Sequence, residues 1–305
     1  MLRRTFAAVC IVFGLSPVAI AQVKFERKYP EGATRTVEIK NKLEQRLTLA
    51  GMDIDTGSNT TTVSKSTIGK RDVGGMLRVH EKIESLQIST DVMGQNYSFD
   101  SANPDNAGSS PLEVLRPVHK AISQCTSTTV LDKDNRVYAI EFDQDIVGSL
   151  PPEVQPLLKA QFDQENLKKA ANQEFDQLTS EPVNKGDSWQ RTSTINFGAG
   201  QIMTFQTKFT YEGTVEKQGR VLDQITSKTL AVDFALQDSP LPFQVKGSEL
   251  KADESGSVIL FDRERGHVVE SNAKVRVTGD ITFVVNNMEL PSTLDLKMQS
   301  SVVVK

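Results

Sequence analysis

The sequence predicts an α+β protein dominated by antiparallel strands, built as two similar β-sheet units with a few amphipathic helices. Apolar and polar residues alternate over long stretches, at the two-residue period of a strand with one buried face. Glycine-containing sequences separate these stretches, as turns separate the strands of a sheet. Helical spacing of apolar residues is confined to two regions, near residues 111–124 and 152–178.

The clearest strand signal lies in residues 203–215, where the even positions are polar or charged. The odd positions are mostly apolar, and they are Met203, Phe205, Thr207, Phe209, Tyr211, Gly213 and Val215. This alternation predicts a half-buried antiparallel strand. Gly198 and Gly200 lie just ahead of it and predict the turn of a hairpin.

The helical regions have recognisable starts. Ser110 is followed by a proline and, three residues on, by Glu113, which predicts a capping box at the start of the first helix. In the second region the apolar spacing breaks after Phe162, and Asp163 predicts the cap of a new helix. Residues 22–36 are charged and irregular, and we expect a loose lead-in there.

Residues 1–21 have the pattern of an export leader. Arg3 and Arg4 precede a short apolar run, and Ala19-Ile20-Ala21 is a small-x-small cleavage site. The apolar run is too short to span a bilayer. We therefore expect an exported protein, periplasmic or extracellular, with no transmembrane segment in the mature chain. Export by the general route and by the twin-arginine route both stay open.

Composition argues against a nucleic-acid partner. The formal net charge is −4, and the basic residues are mixed with acids along the chain. No run of lysine and arginine forms the continuous positive surface that binds phosphates. Cys125 is the single cysteine outside the leader, so no internal disulfide is expected, and we interpret it as a small buried apolar residue.

Two short hairpins indicate an internal duplication. Val130-Leu131-Asp132-Lys133-Asp134 and Leu260-Phe261-Asp262-Arg263-Glu264 share an apolar pair, an aspartate, a base and an acid in the same order. We predict a first β-rich unit at residues 22–150, a helical connector at 151–181 and a second β-rich unit at 182–305.

Three segments carry a family resemblance. Residues 182–189, the strand segment 209–214 and the hairpin 260–266 resemble a family of uncharacterised exported bacterial proteins. The resemblance covers most of the mature chain and implies no catalytic residue, because the family has no established activity. It further implies a fold similar to lipoprotein-carrier-like half-barrels, in which a strongly curved antiparallel sheet holds helices on its concave face.

Asp55-Thr56-Gly57-Ser58 resembles the signature of an aspartic protease. That chemistry needs two carboxylates sharing one proton, and the chain has no second Asp-Thr/Ser-Gly. Because these residue types also form turns, we interpret the motif as a hairpin turn. A hydrolase using Asp55 is a less favoured hypothesis than a ligand-binding protein or a protein-interaction module.

Metal and cofactor motifs are absent from the sequence. His80, His119 and His267 are far apart, and none has a second histidine at ligand spacing. No sequence has the glycine pattern of a phosphate or dinucleotide site. We expect no cofactor, no metal and no enzymatic activity.

Aromatic residues of the second unit form the predicted ligand surface. Trp189, Phe205, Phe209 and Tyr211 fall on or beside the apolar face of the strand at 203–215. Such residues usually pack in a core, and they form a ligand surface where helices leave the space open. The leading hypothesis is an exported, non-catalytic protein that binds a hydrophobic small molecule such as a lipid between sheet and helices. The alternative is a structural or protein-interaction module whose partner is an envelope protein.

Overall fold

The structure is a computed structural model, and the predicted leader lies outside the residues that it describes. The described residues are 22–152, 154–159, 162–237, 239 and 243–305.

Strands make up most of this part of the chain, which confirms the β-dominated fold class. The strands are β1 (Thr34–Leu49), β2 (Met52–Ile68), β3 (Leu77–Val92), β4 (Gln95–Asp100), β5 (Thr126–Leu131), β6 (Val137–Phe142), β7 (Ser188–Gly198), β8 (Gln201–Lys217), β9 (Arg220–Leu236), β10 (Gln244–Asp262), β11 (His267–Val285) and β12 (Met288–Val304). The helices are a 3-10 helix (Pro111–Leu115), α1 (Arg116–Gln124), α2 (Gln155–Leu158) and α3 (Gln164–Asp176).

All strands belong to one antiparallel sheet that follows chain order. The strand order is β6-β5-β3-β2-β1-β12-β11-β10-β9-β8-β7, with β4 paired to β3 beside β5. The last strand therefore pairs with the first, while β6 and β7 form the two edges. Both predicted β-rich units contribute to this sheet, and their division at residues 150 and 182 stays a prediction.

Helix α3 lies between the two edge strands. The Asn172 amide bonds to the backbone of Val137 in β6, and the Gln173 Oε1 atom accepts from the Thr194 N–H in β7 at 2.8 Å. Because one helix contacts both edges, the sheet must curl until its edges face each other across α3. The unpaired N–H groups of an edge strand favour association with other chains, and here side-chain amides satisfy some of them.

The two faces of the sheet differ in chemistry. On β1 the even positions from 38 to 46 all carry charges, and Arg46 and Glu44 form ion pairs with the neighbouring strands β2 and β12. The odd positions, such as Leu43 and Leu47, pack with apolar residues of the second half of the chain. Alternation therefore gives the sheet one charged outer face and one inner face that carries the large apolar clusters.

The N-terminal segment packs across one end of the inner face, so the predicted loose lead-in is wrong. Val23 forms two backbone hydrogen bonds of 2.8 Å with Val183, and the Lys28 N–H donates to the Gly266 carbonyl at 3.0 Å. Val23 and Phe25 are buried. Their alternate spacing among charged residues is the signal of an extended segment with one buried side.

The interpretation of Asp55-Thr56-Gly57-Ser58 as a hairpin turn is also wrong. These residues lie inside β2, and the turn comes earlier, at Ala50 and Gly51, whose φ angles are 50° and 83°. A type I′ hairpin turn needs positive φ at both central positions, and Gly57 does not have a positive φ.

Both predicted capping residues cap their helices, but the predicted capping box does not form. The Asp163 side chain accepts from the backbone N–H groups of Glu165 and Asn166, as predicted. Ser110 also caps its helix, but Glu113 does not close the capping box. Its carboxylate instead accepts from the Gly108 N–H at 2.8 Å and pairs with Arg116.

Candidate functional site

The inner face has two ends that differ in how they are covered. We call the end with the β10–β11 turn the base, and the end with the β1–β2 turn the distal end. At the base a group of buried residues, the basal cluster, packs under the N-terminal segment. Its members are Val23, Phe25, Leu178, Val183, Phe209, Tyr211, Ile225, Ile259 and Phe261, with Trp189 packed against them.

Phe25 fills the space in front of the predicted aromatic ligand surface. Its ring makes edge contacts with Tyr211 and Phe261, at centroid distances of 5.6 and 5.5 Å, and a tilted contact with Trp189 at 6.2 Å. Trp189 stacks on Phe209 and donates its Nε1–H to the Gln177 carbonyl. These three predicted ligand residues are thus brought together, and the chain itself occupies their apolar surface.

The hydroxyl group of Tyr211 has a polar partner. Its hydroxyl donates to Asp223 Oδ1 at 2.7 Å, and Arg263 Nε donates to the other carboxylate oxygen at 3.0 Å. Burial and the neighbouring Asp223 carboxylate raise the pKa of Tyr211 to about 12. With each of these polar groups partnered, the site holds a neutral phenol and a paired carboxylate.

The distal end carries the largest apolar group on the inner face, the distal cluster. Its buried members are Met203, Phe205, Val232, Val277, Ile281, Phe283, Leu294 and Leu296. Its partly exposed members are Leu43, Leu47, Leu49, Phe197, Phe234, Phe243, Val245, Leu250, Ala252, Val275, Leu290 and Met298.

No residue from a described helix belongs to the distal cluster. All its members except Phe243 come from β1 and β7 to β12, whereas the helices contact β3, β4, β6 and β7. Phe205, the fourth predicted ligand residue, lies here rather than at the base. The partly buried members leave apolar side-chain surface exposed at this end of the inner face.

Four of the described turns at the distal end contain no charged residue. The β1–β2, β3–β4, β7–β8 and β11–β12 connections each have two residues with positive φ, as type I′ hairpin turns require. Their residues are Ala50 and Gly51, Met93 and Gly94, Ala199 and Gly200, and Asn286 and Asn287. Three connections at the base contain lysine, arginine and acidic residues instead, at 70–72, 132–136 and 263–265, whereas the β8–β9 turn at Gln218 and Gly219 is uncharged.

Asp55 lies on the charged outer face, away from both clusters. Arg46 donates to both of its carboxylate oxygens, at 2.7 and 3.0 Å. This pairing lowers the pKa of Asp55. Asp55 contributes to a polar depression of about 330 Å³ whose other residues include Glu44, Arg46, Asp91, Asp295 and Lys297. A carboxylate already bound by a guanidinium on an open surface lacks the proton-sharing partner of an aspartic protease.

The histidines do not form a metal site in the described part of the chain, where no group of three or more acidic, histidine or cysteine side chains could hold a metal. His119 instead bonds through Nδ1 to the Tyr97 hydroxyl at 2.8 Å. Burial, with a smaller contribution from Arg116, lowers the pKa of His119 to about 4.

Cys125 is buried and unpaired, as expected of a small apolar residue. Its pKa is raised to about 11, first by burial and then by Asp143. The thiol therefore stays protonated at neutral pH and is a poor nucleophile.

Sequence patterns alone do not predict the distal cluster as a unit. The alternation in β12 was visible, whereas β10 contributes Val245 and Leu250 from a stretch rich in glycine and charged residues. Only the pairing of β1 with β12 brings Leu43 and Leu47 into the same cluster as Leu294, and no local pattern encodes that pairing.

Comparisons with known proteins give a family but no activity. The model of a family of unknown function, DUF6263, matches residues 75–248. No curated protein matches the sequence significantly.

The likeness to solved structures is weak. Lipovitellin, from a structure concerned with lipid–protein interactions, is 8% identical with a TM-score of 0.43 over 91% of this chain, which spans only 25% of that chain. OccK5 (OpdH) of Pseudomonas aeruginosa is 6% identical with a TM-score of 0.26, over 89% of this chain and 98% of that one. Scores of this size carry no argument about fold or function. No helix in the described residues has the length and apolarity needed to cross a membrane.

Proposed function

Because the chain belongs to the family of unknown function DUF6263, we propose a function from its own geometry: it is a non-catalytic protein that binds an apolar ligand, such as a lipid, at the distal cluster. The observation that carries the proposal is the lack of helical cover over this cluster in the described chain, with twelve members left partly exposed. The leader pattern in residues 1–21 supports export, and with it a role in the cell envelope.

Two features make the distal end a better ligand site than the base. The base already holds Phe25, Leu178 and Val183 against its aromatic residues, so an added ligand there would have to displace part of the chain. The distal cluster mixes long aliphatic side chains with phenylalanines and a methionine at its exposed edge. Such a surface recognises an apolar chain by contact area rather than by hydrogen bonds.

The test starts from protein purified without detergent. Native mass spectrometry before and after organic extraction should reveal a bound apolar compound, and the extracted protein should bind a phenylnaphthylamine fluorophore saturably. Leu47→Asn and Leu290→Asn should each weaken this binding about tenfold, because a polar amide replaces apolar contact area. Leu230→Asn, the same change at an exposed site outside the cluster, should bind like the wild type.

The outcome separates the two leading hypotheses. A structural or protein-interaction module predicts neither a co-purified apolar compound nor saturable binding of the fluorophore. That result, or equal affinity in all three variants and the wild type, would overturn the proposed function.

A further inference from the structure

Part of the inner face between the basal and distal clusters is left open, along the neighbouring strands β1 and β12. Its residues lie directly opposite one another in three pairs, which are Asn41 and Ser300, Ile39 and Val302, and Val37 and Val304. We call these six residues the open strip. Asn41 is exposed, the other five are half-buried, and none belongs to an apolar cluster of the described chain.

The open strip leads from the distal cluster to Arg35. The next pair at its distal end is Leu43 and Met298, and both belong to the distal cluster. The odd positions of β1 face inward, and Ala33 packs with Ile68 in an inner cluster, so Arg35 also faces inward. Leu43 is eight residues from Arg35, or about 27 Å along the strand. An arginine side chain and an extended long-chain fatty acid together have about this length.

Arg35 is a half-buried cation. Its guanidinium donates to the Lys28 carbonyl at 2.7 Å and lies 5.5 Å from the centre of the Tyr29 ring. No carboxylate of the described residues pairs with it. Burial, with a smaller contribution from Arg27, lowers the pKa of Arg35. A guanidinium has five N–H donors, in a fork that matches a planar carboxylate, so Arg35 has donors left for an anionic partner.

Arg27 adds a second positive charge to this end of the open strip. It donates to the Glu174 carbonyl at 3.1 Å, and its guanidinium carbon lies 3.9 Å from the centre of the Phe175 ring. In the described chain Glu174 forms no ion pair with either arginine and contributes only its backbone oxygen. Like charges in partly desolvated surroundings repel each other, and an anion bound beside them would offset that repulsion.

We propose that the ligand is a long-chain amphiphile with an anionic head group, such as the carboxylate of a fatty acid. The head group binds Arg35, with Arg27 beside it, and the acyl chain follows the open strip to the distal cluster. This inference rests on the proposed function, because it names the class of apolar ligand that the same site takes. A charge-assisted, forked hydrogen bond fixes the head group, while apolar contact area holds the acyl chain.

The test compares palmitate with its uncharged methyl ester, which has the same acyl chain. Each displaces the phenylnaphthylamine fluorophore from the full chain at pH 8, below the concentration at which palmitate forms micelles. The wild type should bind palmitate at least about tenfold more tightly than the ester. Arg35→Gln should remove this preference and leave the affinity for the ester unchanged. Because both ligands are measured on the same protein, a loss of folded protein does not alter the ratio.

Two further variants separate charge from structure. Arg35→Lys keeps the positive charge and should retain part of the preference for palmitate, which a purely structural role of Arg35 does not predict. Arg46→Gln makes the glutamine substitution on the same strand but on the outer face, where Arg46 pairs with Asp55, and should behave like the wild type.

The outcomes distinguish this inference from the proposed function. Equal affinity of the wild type for palmitate and the ester, or an undiminished preference in Arg35→Gln, would overturn the anionic head group and leave the apolar site standing. Failure of both compounds to displace the fluorophore would overturn the inference together with the proposed function.

Discussion

Asn172 pairs with Val137 through both polar atoms of its side-chain amide. The Oδ1 atom accepts from the Val137 N–H at 3.0 Å, and Nδ2 donates to the Val137 carbonyl at 2.9 Å. This is the bond pattern that a neighbouring strand would offer to edge strand β6. One side chain of α3 thereby takes the place of a missing strand partner at the gap between β6 and β7.

Replacing Asn172→Leu should destabilise the protein by about 1–3 kcal/mol, because the N–H and carbonyl of Val137 lose their partner. Urea unfolding followed by circular dichroism measures the loss. Lys169→Leu puts the same side chain on the exposed side of α3 and should change the free energy of unfolding little. Equal stability of both variants would show that the amide does not hold the helix to the edge.

Phe25→Ala should remove the centre of the basal cluster. Truncating a buried phenylalanine costs about 3–5 kcal/mol, through lost transfer energy and the cavity left behind. Trp189 is the only tryptophan and contacts Phe25, so its fluorescence reports the change directly. The emission should move to longer wavelength and the urea midpoint should fall.

Lys24→Ala is the matched control for that prediction, since Lys24 is an exposed neighbour in the same segment. This variant should have the tryptophan emission wavelength and the urea midpoint of the wild type. An unchanged tryptophan spectrum in Phe25→Ala would contradict the packing of the N-terminal segment against the base.

His119 should make the free energy of unfolding fall at acid pH. Its pKa is lowered from 6.5 to about 4 in the folded protein, so the unfolded chain takes up a proton first. The free energy of unfolding should therefore be unaffected by this group above pH 6.5 and fall as the pH drops from 6.5 toward 4, by about 2 kcal/mol at pH 5. Urea unfolding at pH 7.5 and pH 5 gives the difference.

The variant His119→Gln isolates this contribution. It loses the titrating ring, so its stability should fall less than that of the wild type between the two pH values. An identical fall in both proteins would mean that His119 is protonated as easily in the folded chain as in the unfolded one.

Gly279→Ala should disrupt the pairing of β10 with β11. Gly279 has φ 143°, and a Cβ atom there would lie 2.0 Å from the Glu249 carbonyl oxygen. We expect a loss of about 3 kcal/mol or more in thermal or urea unfolding, since both backbone conformation and space oppose the methyl group. Gly57→Ala, also within a strand but with open space around its Cβ, should be neutral or slightly stabilising.

Local signals in the sequence predicted local structure well. Alternation identified β8, and the short polar side chains of Asp163 and Ser110 marked helix starts because a cap depends only on the next few residues. The glycine signal is correct at Gly51, which forms the β1–β2 turn with Ala50, and wrong at Gly57, which lies inside β2. The resemblance to an uncharacterised family is confirmed by the match over residues 75–248.

Long-range structure was not predictable in the same way. The pairing of β1 with β12 joins opposite ends of the chain, and the packing of Phe25 on Tyr211 spans the helical connector. These contacts depend on the curl of the whole sheet, which no window of residues encodes. For the same reason the sequence predicted a ligand surface at Trp189, Phe209 and Tyr211, where the folded chain places its own N-terminal segment.

Photolabelling with a fatty acid that carries a diazirine at the end of its chain identifies the residues that contact a bound apolar ligand. Peptide mass spectrometry should find the label on members of the distal cluster, such as Leu47, Phe234 and Leu290, and not on Phe209 or Tyr211. Competition with unlabelled fatty acid should abolish the labelling. Labelling no greater than in heat-unfolded protein, or confined to the charged outer face around Arg46, would contradict an apolar ligand site at the distal end.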